Sequence, residues 1–318
     1  MQIRYEKRQI AQILGLSERQ LNEVDGLPAL RGLDDGTGVF GPRHLSTYRQ
    51  LLDCQPERRP TRRQLFLNFK GGTGKTTLSV AYAYRLAELG HRVLLVDLDS
   101  QGHATRHLGL EGERTLYDVL VNKASIADIT MGTVLPEFDL VPSNLGMSTI
   151  DLALMPLAGR EYRLRKALDE VAERYDFIVM DAPPSFGLLN LNALIAADDL
   201  VVPVLPDFLS FHGLKLLFET VAGIEEDLGH TLQRIFVVLN QYNPTTKIAR
   251  EAREALQAHY PEFFAQTIIR QSTQFAQASS EGVPITAHSP SSKGAKDVDA
   301  LIHELMAVGA TTNGKEHA

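Results

Sequence analysis

Between Phe69 and Thr77 the chain reads Phe-Lys-Gly-Gly-Thr-Gly-Lys-Thr-Thr. Glycines at this density let the backbone curl until its N–H groups face an anion, and a helix that follows adds its positive N-terminal end. Gly71, Gly72, Thr73, Gly74, Lys75, Thr76 and Thr77 are therefore the candidate nucleotide-binding residues. Lys75 would neutralise the β- and γ-phosphates, and the Thr76 hydroxyl would ligate Mg²⁺. Further on, the apolar run Val93-Leu94-Leu95-Val96 ends in Asp97, with Asp99 two residues later. A second run, Phe177-Ile178-Val179-Met180, ends in Asp181. Carboxylates at the C-terminal ends of parallel strands face the ligand crevice. Phosphoryl transfer needs charge and orientation more than covalent chemistry. Of Asp97 and Asp99, one could hold a metal-bound water and the other position the attacking water, while Asp181 would reach Mg²⁺ through water. A lone Asp pair is otherwise a helix cap, and the preceding strand argues against that here. Asn240, at the end of another apolar run, offers an amide to an adenine edge; a turn built on Asn243-Pro244 is the competing account of that loop.

These residues need a scaffold that brings strand ends together. From Gln64 onward short apolar runs alternate with longer amphipathic ones. Strands are expected at 65–69, 93–98, 138–141, 177–180, 200–205, 235–239 and 267–269. Helices are expected at 76–89, 161–174, 188–196, 211–227, 246–259 and 295–308. Continuous apolar strands separated by helices predict a doubly wound α/β domain with a mainly parallel sheet covered on both faces. Before it, 5–14 and 18–24 read as helices separated by Gly15-Leu16-Ser17, with Ser17 as N-cap. That is the helix-turn-helix pattern, with Arg19 and Gln20 on the second helix as DNA-facing candidates. A Gly/Asp-rich loop at 32–38 and a helix at 43–53 complete a wing-like arrangement; a small helical dimerisation subdomain is the alternative. The expected boundaries are 1–55 for this domain, 56–64 for a Pro/Arg linker, 65–308 for the α/β domain and 309–318 for a disordered tail.

Composition bounds the rest. The 318 residues carry 44% hydrophobic and 22% charged side chains, ordinary globular values that exclude a mostly disordered or collagen-like chain. No apolar run approaches the ~18 residues of a transmembrane helix, and Met1–Arg8 leads into no secretory h-region. Cys54 is the one cysteine, which leaves no disulfide or Cys-ligated cluster within a chain. A cytoplasmic protein is the expectation. The formal charge of −7 is uneven: residues 1–64 hold 11 Lys/Arg against 8 Asp/Glu, and the rest hold 21 against 31. A basic lobe on an acidic body fits a nucleic-acid partner, and equally a solvated surface.

The Lys70–Thr76 segment, KGGTGKT, resembles the deviant Walker A loop of the ParA/MinD family of P-loop ATPases, in which Phe69 stands where the general pattern has glycine. The segment Asp97–Thr105 is similar to the family's DxDPQGNAT, with Ser100 for its proline and His103 for its asparagine. Asp181–Ser185 is similar to its DxPPS. Asn240 lies in a loop that resembles MinD more than ParA. The resemblance covers residues 65 to about 308. It implies that ATP/ADP and Mg²⁺ are the cofactors, that Asp99 is hydrolytic, that Asp97 supports the metal side beside Thr76 and Asp181, and that Lys70 reaches the partner's phosphates across a homodimer.

Within the family, a nitrogenase-type bridging cluster needs two cysteines. A membrane-bound MinD needs a basic amphipathic C-terminal helix, which 305–318 does not resemble. The ParA branch remains, with DNA as a non-specific partner and a ParB-like activator. It implies nucleoid association and DNA contacts late in the chain, for which Lys247, Arg250, Arg270, Lys293 and Lys296 are the candidates. Arg253 lies on the same helix, and Glu251 and Glu254 interleave Lys247, Arg250 and Arg253, so ion pairing along the helix competes there. The alternatives are an operator-binding regulator and a positioning ATPase for a non-DNA cargo.

Overall fold

The structure, a computed structural model, describes residues 3–25, 27–31 and 40–307. The expected wing loop at 32–38, residue 308 of the last helix and the tail at 309–318 lie outside the described residues. The elements in chain order are α1 (Lys7–Leu14), α2 (Glu18–Val24), α3 (Pro28–Arg31), α4 (Pro42–Leu51), β1 (Arg62–Phe66), α5 (Lys75–Glu88), β2 (Val93–Asp97), α6 (His103–His107), α7 (Leu116–Leu120), β3 (Met131–Gly132) and β4 (Phe138–Val141). They continue with α8 (Ile150–Leu154), α9 (Arg163–Asp169), β5 (Phe177–Asp181), α10 (Leu188–Ala196), β6 (Asp199–Val204), α11 (Leu209–Leu228), β7 (Arg234–Leu239), α12 (Lys247–His259), α13 (Thr273–Ser280), α14 (Ile285–His288) and α15 (Lys293–Ala307).

Seven strands form one sheet in the order β3-β4-β2-β5-β1-β6-β7. All pairings are parallel except the short edge pair β3–β4. Every residue of β2, β5 and β6 is buried, as a parallel sheet with helices on both faces requires. Burial from both sides explains the unbroken apolar runs in the sequence. In this order β1 lies between β5 and β6, so the loop after β1 emerges at the centre of the sheet, beside the end of β5. One strand further, Asp97 and Asp181 are register partners on β2 and β5, which sets two carboxylates side by side.

Several boundaries differ from expectation for local reasons. β1 starts at Arg62, inside the segment read as linker, because Arg62 is anchored by Asp199 and by the Asp176 carbonyl. The expected helix at 161–174 is broken: α9 ends at Asp169 and only a 3-10 turn, Ala172–Arg174, precedes β5. The expected strand at 267–269 is reduced to isolated bridges, Val237 with Phe264 and Tyr242 with Arg270, alongside β7.

The N-terminal helices α1 and α2 are joined at Gly15, which takes the left-handed conformation (φ 68°), and Ser17 caps α2 in a reciprocal box with Gln20. Lys7 pairs with Asp25, and Tyr48 on α4 donates to the same carboxylate. This lobe is not tethered loosely. Tyr5, Ile10, Leu45 and Tyr48 share one apolar cluster with α5. The Tyr5 hydroxyl donates to Glu88 Oε1 at 2.6 Å and lies 2.7 Å from the Tyr84 hydroxyl. Arg49 on α4 donates to the Glu88 carbonyl and pairs with Glu137, which also accepts from Ser46 at 2.6 Å. Gly90 makes the close seat possible: at φ 96°, a Cβ there would meet the Arg49 side chain at 2.5 Å and Pro56 at 2.8 Å.

Glu88 is fully buried, and its burial raises its pKa against the pull of Arg85. Removing the hydroxyl that bonds it should therefore register as lost stability. Tyr5→Phe is expected to cost roughly 1–3 kcal/mol, the range for stranding a buried partner. Urea unfolding of the full chain measures it, and a midpoint equal to wild type would mean the lobe is held elsewhere.

Candidate active site

β1 gives way to the glycine loop, which ends at Gly74, the left-handed N-cap of α5 (φ 86°). A Cβ on Gly74 would lie 2.3 Å from Asn240 Nδ2, so only glycine fits where β7's end closes on the loop. Asn240 donates from Nδ2 to the Thr73 carbonyl at 2.7 Å and accepts from the Gln241 N–H at 2.9 Å. Its amide thus braces the loop through one N–H and one lone pair.

The loop faces a cavity of about 550 Å³ lined by Gly72, Gly74, Lys75, Thr76, Thr77 and Asp99, with Arg106, His107 and Pro184 on the far side. An adjoining cavity of about 420 Å³ is walled by Asn240, Gln271, Ser272 and Phe275. Together they offer a polar end at the phosphate loop beside a smaller, less polar one. Lys75 is buried and reaches the Lys70 carbonyl at 3.3 Å; burial lowers its pKa while Asp181 and Asp99 pull it back.

The two strand-end carboxylates divide their duties. Asp97 accepts three hydrogen bonds: Oδ1 from the Asp99 N–H at 3.1 Å, and Oδ2 from the Thr105 N–H at 2.9 Å and hydroxyl at 2.7 Å. It fastens the segment that carries Asp99. Burial pushes its pKa up to about 6 against those bonds. Asp181 is fully buried, and neither of its oxygens is within hydrogen-bonding geometry of a partner among the described residues. Burial, then Asp97, push its pKa up to about 8, with Thr76, Ser79 and Lys75 pulling the other way. A buried carboxylate left open beside a threonine hydroxyl suits a divalent cation with retained waters, so Thr76 and Asp181 fit Mg²⁺. Asp99 is nearly buried; Oδ1 accepts from the Gln101 N–H at 2.9 Å, and Oδ2 lies 3.9 Å from His103 Nδ1.

Lys70 is held outside this cavity. Its ammonium donates to both oxygens of Asp207, at 2.9 and 2.7 Å, on the loop after β6. Phe69 beside it stacks edge-on against Phe186, which is 72% exposed. Asp207 lacks a motif, so sequence reading had no means to pair it with Lys70. Gln241, His107 and Ser279 were missed for the same reason: they come from separate loops and helices that only the fold gathers.

The DNA-facing candidates fall into two groups. Lys247 pairs with Glu251 at 3.5 Å and Arg250 donates to the Pro244 carbonyl at 2.8 Å. Arg270 is bound bidentately by Asp297 and lines the 420 Å³ cavity. Lys293 and Lys296 are exposed at the start of α15, and their ammonium groups have no partner among the described residues. Arg19 and Gln20 are exposed on α2, although the Gln20 side chain is engaged in the Ser17 cap. No helix among the described residues is long and apolar enough to cross a membrane.

The raised Asp181 has a measurable signature. Between its unfolded value near 3.9 and about 8, the folded state holds a proton that the unfolded chain has lost, so stability falls as pH rises. Asp181→Asn lacks this penalty. Without metal or nucleotide, the melting temperature of the variant relative to wild type should climb from pH 5 to about 8 and then level off. A pH-independent difference would exclude a protonated Asp181.

The AAA_31 family model, an AAA domain, matches residues 63–234. The cell division protein PomZ of Myxococcus xanthus is 57% identical over 323 aligned residues, covering 99% of this chain and 98% of that protein. The sporulation initiation inhibitor protein Soj of Bacillus subtilis is 37% identical and spans 76% of this chain and 97% of its own. Among solved structures, cobyrinic acid a,c-diamide synthase of Mycobacterium smegmatis with bound ADP and magnesium superposes with a TM-score of 0.69 at 27% identity, over 79% of this chain and 96% of that one. With the deviant loop, the two strand-end aspartates and this sheet order in one molecule, the chain belongs to the ParA/MinD family of P-loop ATPases.

Proposed function

We propose that the chain is a ParA-type positioning ATPase, switched by ATP and ADP between two states of differing affinity for DNA. The observation that supports it is one cavity lined by the phosphate loop and the near-buried Asp99, with the buried Asp181 behind Lys75 and Thr76 and Lys70 outside the cavity on Asp207. Backbone N–H groups of Gly71–Thr77 and the Lys75 ammonium would bind the β- and γ-phosphates. Thr76 and Asp181 would hold Mg²⁺, which when bound neutralises phosphate charge. Asp99 Oδ2, free of backbone bonds, would orient the attacking water. Lys70 would exchange Asp207 for the phosphates of a second subunit, making the closed homodimer dependent on ATP.

In that cycle the ATP dimer binds DNA without sequence preference and is nucleoid-associated, and hydrolysis stimulated by a partner releases it. Lys293 and Lys296 are the best-placed contacts because their charge is unspent, and Arg270 would first have to leave Asp297. Two cargoes are open: a centromere-like DNA with a ParB-like activator, or a protein assembly. The match to PomZ, a cell division protein, runs through the N-terminal lobe as well as the ATPase body, and this favours a role in cell division. Operator reading through residues 1–55 would be a separate activity. Arg19→Ala probes it better than deletion, because deletion would expose the core shared with α5.

Binding to a mixed-sequence duplex in ATP, ADP and no nucleotide tests the switch. Wild type should bind with ATP alone, Lys75→Ala should not bind, and Asp99→Ala should remain bound as ATP persists. Lys293→Ala with Lys296→Ala should weaken binding and flatten its salt dependence by about two charges' worth of slope. Binding indifferent to nucleotide would defeat the proposal.

A further inference from the structure

α6 is fixed from two sides. The Thr105 hydroxyl donates to Asp97 Oδ2 and accepts from the Ser143 N–H at 3.0 Å, tying the helix to the ends of β2 and β4. His107, also buried, lies with Nδ1 3.4 Å from the Ser279 hydroxyl on α13. Ala104, Thr105 and His107 are thus committed to the body, and His103 and Arg106 are the exposed residues of the helix. Spaced i,i+3, they share a face, and both line the 550 Å³ cavity across from the phosphate loop. His103 is turned toward Asp99. Arg106 has no side-chain partner among the described residues, although Arg49, Arg62, Arg85, Arg92, Arg234 and Arg270 all form ion pairs. An unpaired guanidinium lining the same cavity as a glycine-rich cradle of N–H donors is matched by a multiply charged anion. Its planar fork of donors suits phosphate oxygens in particular.

We propose that Arg106 contacts the terminal phosphate of the nucleotide bound in its own subunit. The inference rests on the reading of this cavity as the ATP site and adds a contact supplied in cis. Lys75 approaches the phosphates from the loop side, whereas Arg106 stands on the wall that carries Asp99, where the outermost phosphate must lie if Asp99 orients the attacking water. Lys70 does not line this cavity, so the two cations act on different phosphates: Lys70 on a partner's, Arg106 on its own. Arg106 thereby distinguishes triphosphate from diphosphate before any second subunit arrives.

The test is titration of fluorescent AMPPNP and fluorescent ADP, each with Mg²⁺, into dilute full-length wild type, Arg106→Ala and Arg106→Lys. Loss of a charged hydrogen bond corresponds to about 10- to 100-fold in affinity. Arg106→Ala should lose that much for AMPPNP and less than about threefold for ADP, with Arg106→Lys intermediate. Equal losses for both nucleotides, or none, would overturn the assignment while leaving the site reading intact. Failure of wild type to bind either nucleotide would overturn both. Because Arg106 is exposed, melting temperatures within a degree or two of wild type are expected, and a lower one with equal losses would count as a structural effect against the proposal.

Discussion

Two carboxylates on neighbouring strands, buried and in register, are held together by a sheet that cannot move them apart. Asp97 and Asp181 occupy the last positions of β2 and β5, and among the described residues no arginine or lysine forms an ion pair with either. Two like charges in a low-dielectric interior would be costly. The fold answers the problem differently on each strand. Around Asp97 it wraps the following segment, so that three donors from Asp99 and Thr105 absorb the charge. Around Asp181 it supplies only the threonine and serine hydroxyls of α5 and the edge of Lys75's field. The first solution orders the loop that carries Asp99 and Arg106. The second leaves a site that is complete only with a cation. Bracing and binding are two halves of one electrostatic arrangement.

The same logic runs through the periphery. Lys70, the second lysine of the loop, is not idle in the single chain; Asp207 holds it with both oxygens. Burial disfavours the Asp207 charge, but Lys70 and Ser210 hold its pKa below the usual range. Any second subunit that draws Lys70 away must offer more negative charge than one half-exposed carboxylate. A triphosphate does so and a bare protein surface does not. Selection of the liganded state would then begin in the monomer, through a contact that competes with the dimer.

Much of this was legible in the sequence because it is local. The glycine loop, the lysine that follows it and the strand-end aspartates lie within short stretches, and their spacing alone states the chemistry. The parallel sheet was equally plain from unbroken runs such as Val93–Asp97. What could not be read is what the fold assembles from distant pieces. Asp207 meets Lys70 across 137 positions, and Ser279 meets His107 across 172. Asn240 reads as a base-facing amide from its position at a strand end; that it also holds the Thr73 carbonyl, 167 positions away, is invisible in the sequence. Arg270 was singled out by its place after Ile269, and Asp297, which neutralises it, is a whole helix away in sequence. The pattern at 161–174 suggested a single helix, although the chain unwinds after Asp169 to enter β5.

The seating of the N-terminal lobe carries a mechanical consequence. α5 begins at Lys75, the last lysine of the glycine loop, and ends at Glu88, which bonds Tyr5 and whose carbonyl bonds Arg49. At 1.5 Å per residue those ends are about 20 Å apart on one unbroken rod. A rod does not absorb displacement. Any tilt that closing around phosphates imposes on the first turn of α5 would reach the lobe as a swing of the whole unit, amplified by its distance from the pivot. The segment after α4 gives little slack, since Pro56 is packed against Gly90 and Arg59 lies over Phe177. The lobe is thus fixed to the far end of the helix that leaves the glycine loop, where a small tilt of that helix would become a rotation of whatever the lobe touches.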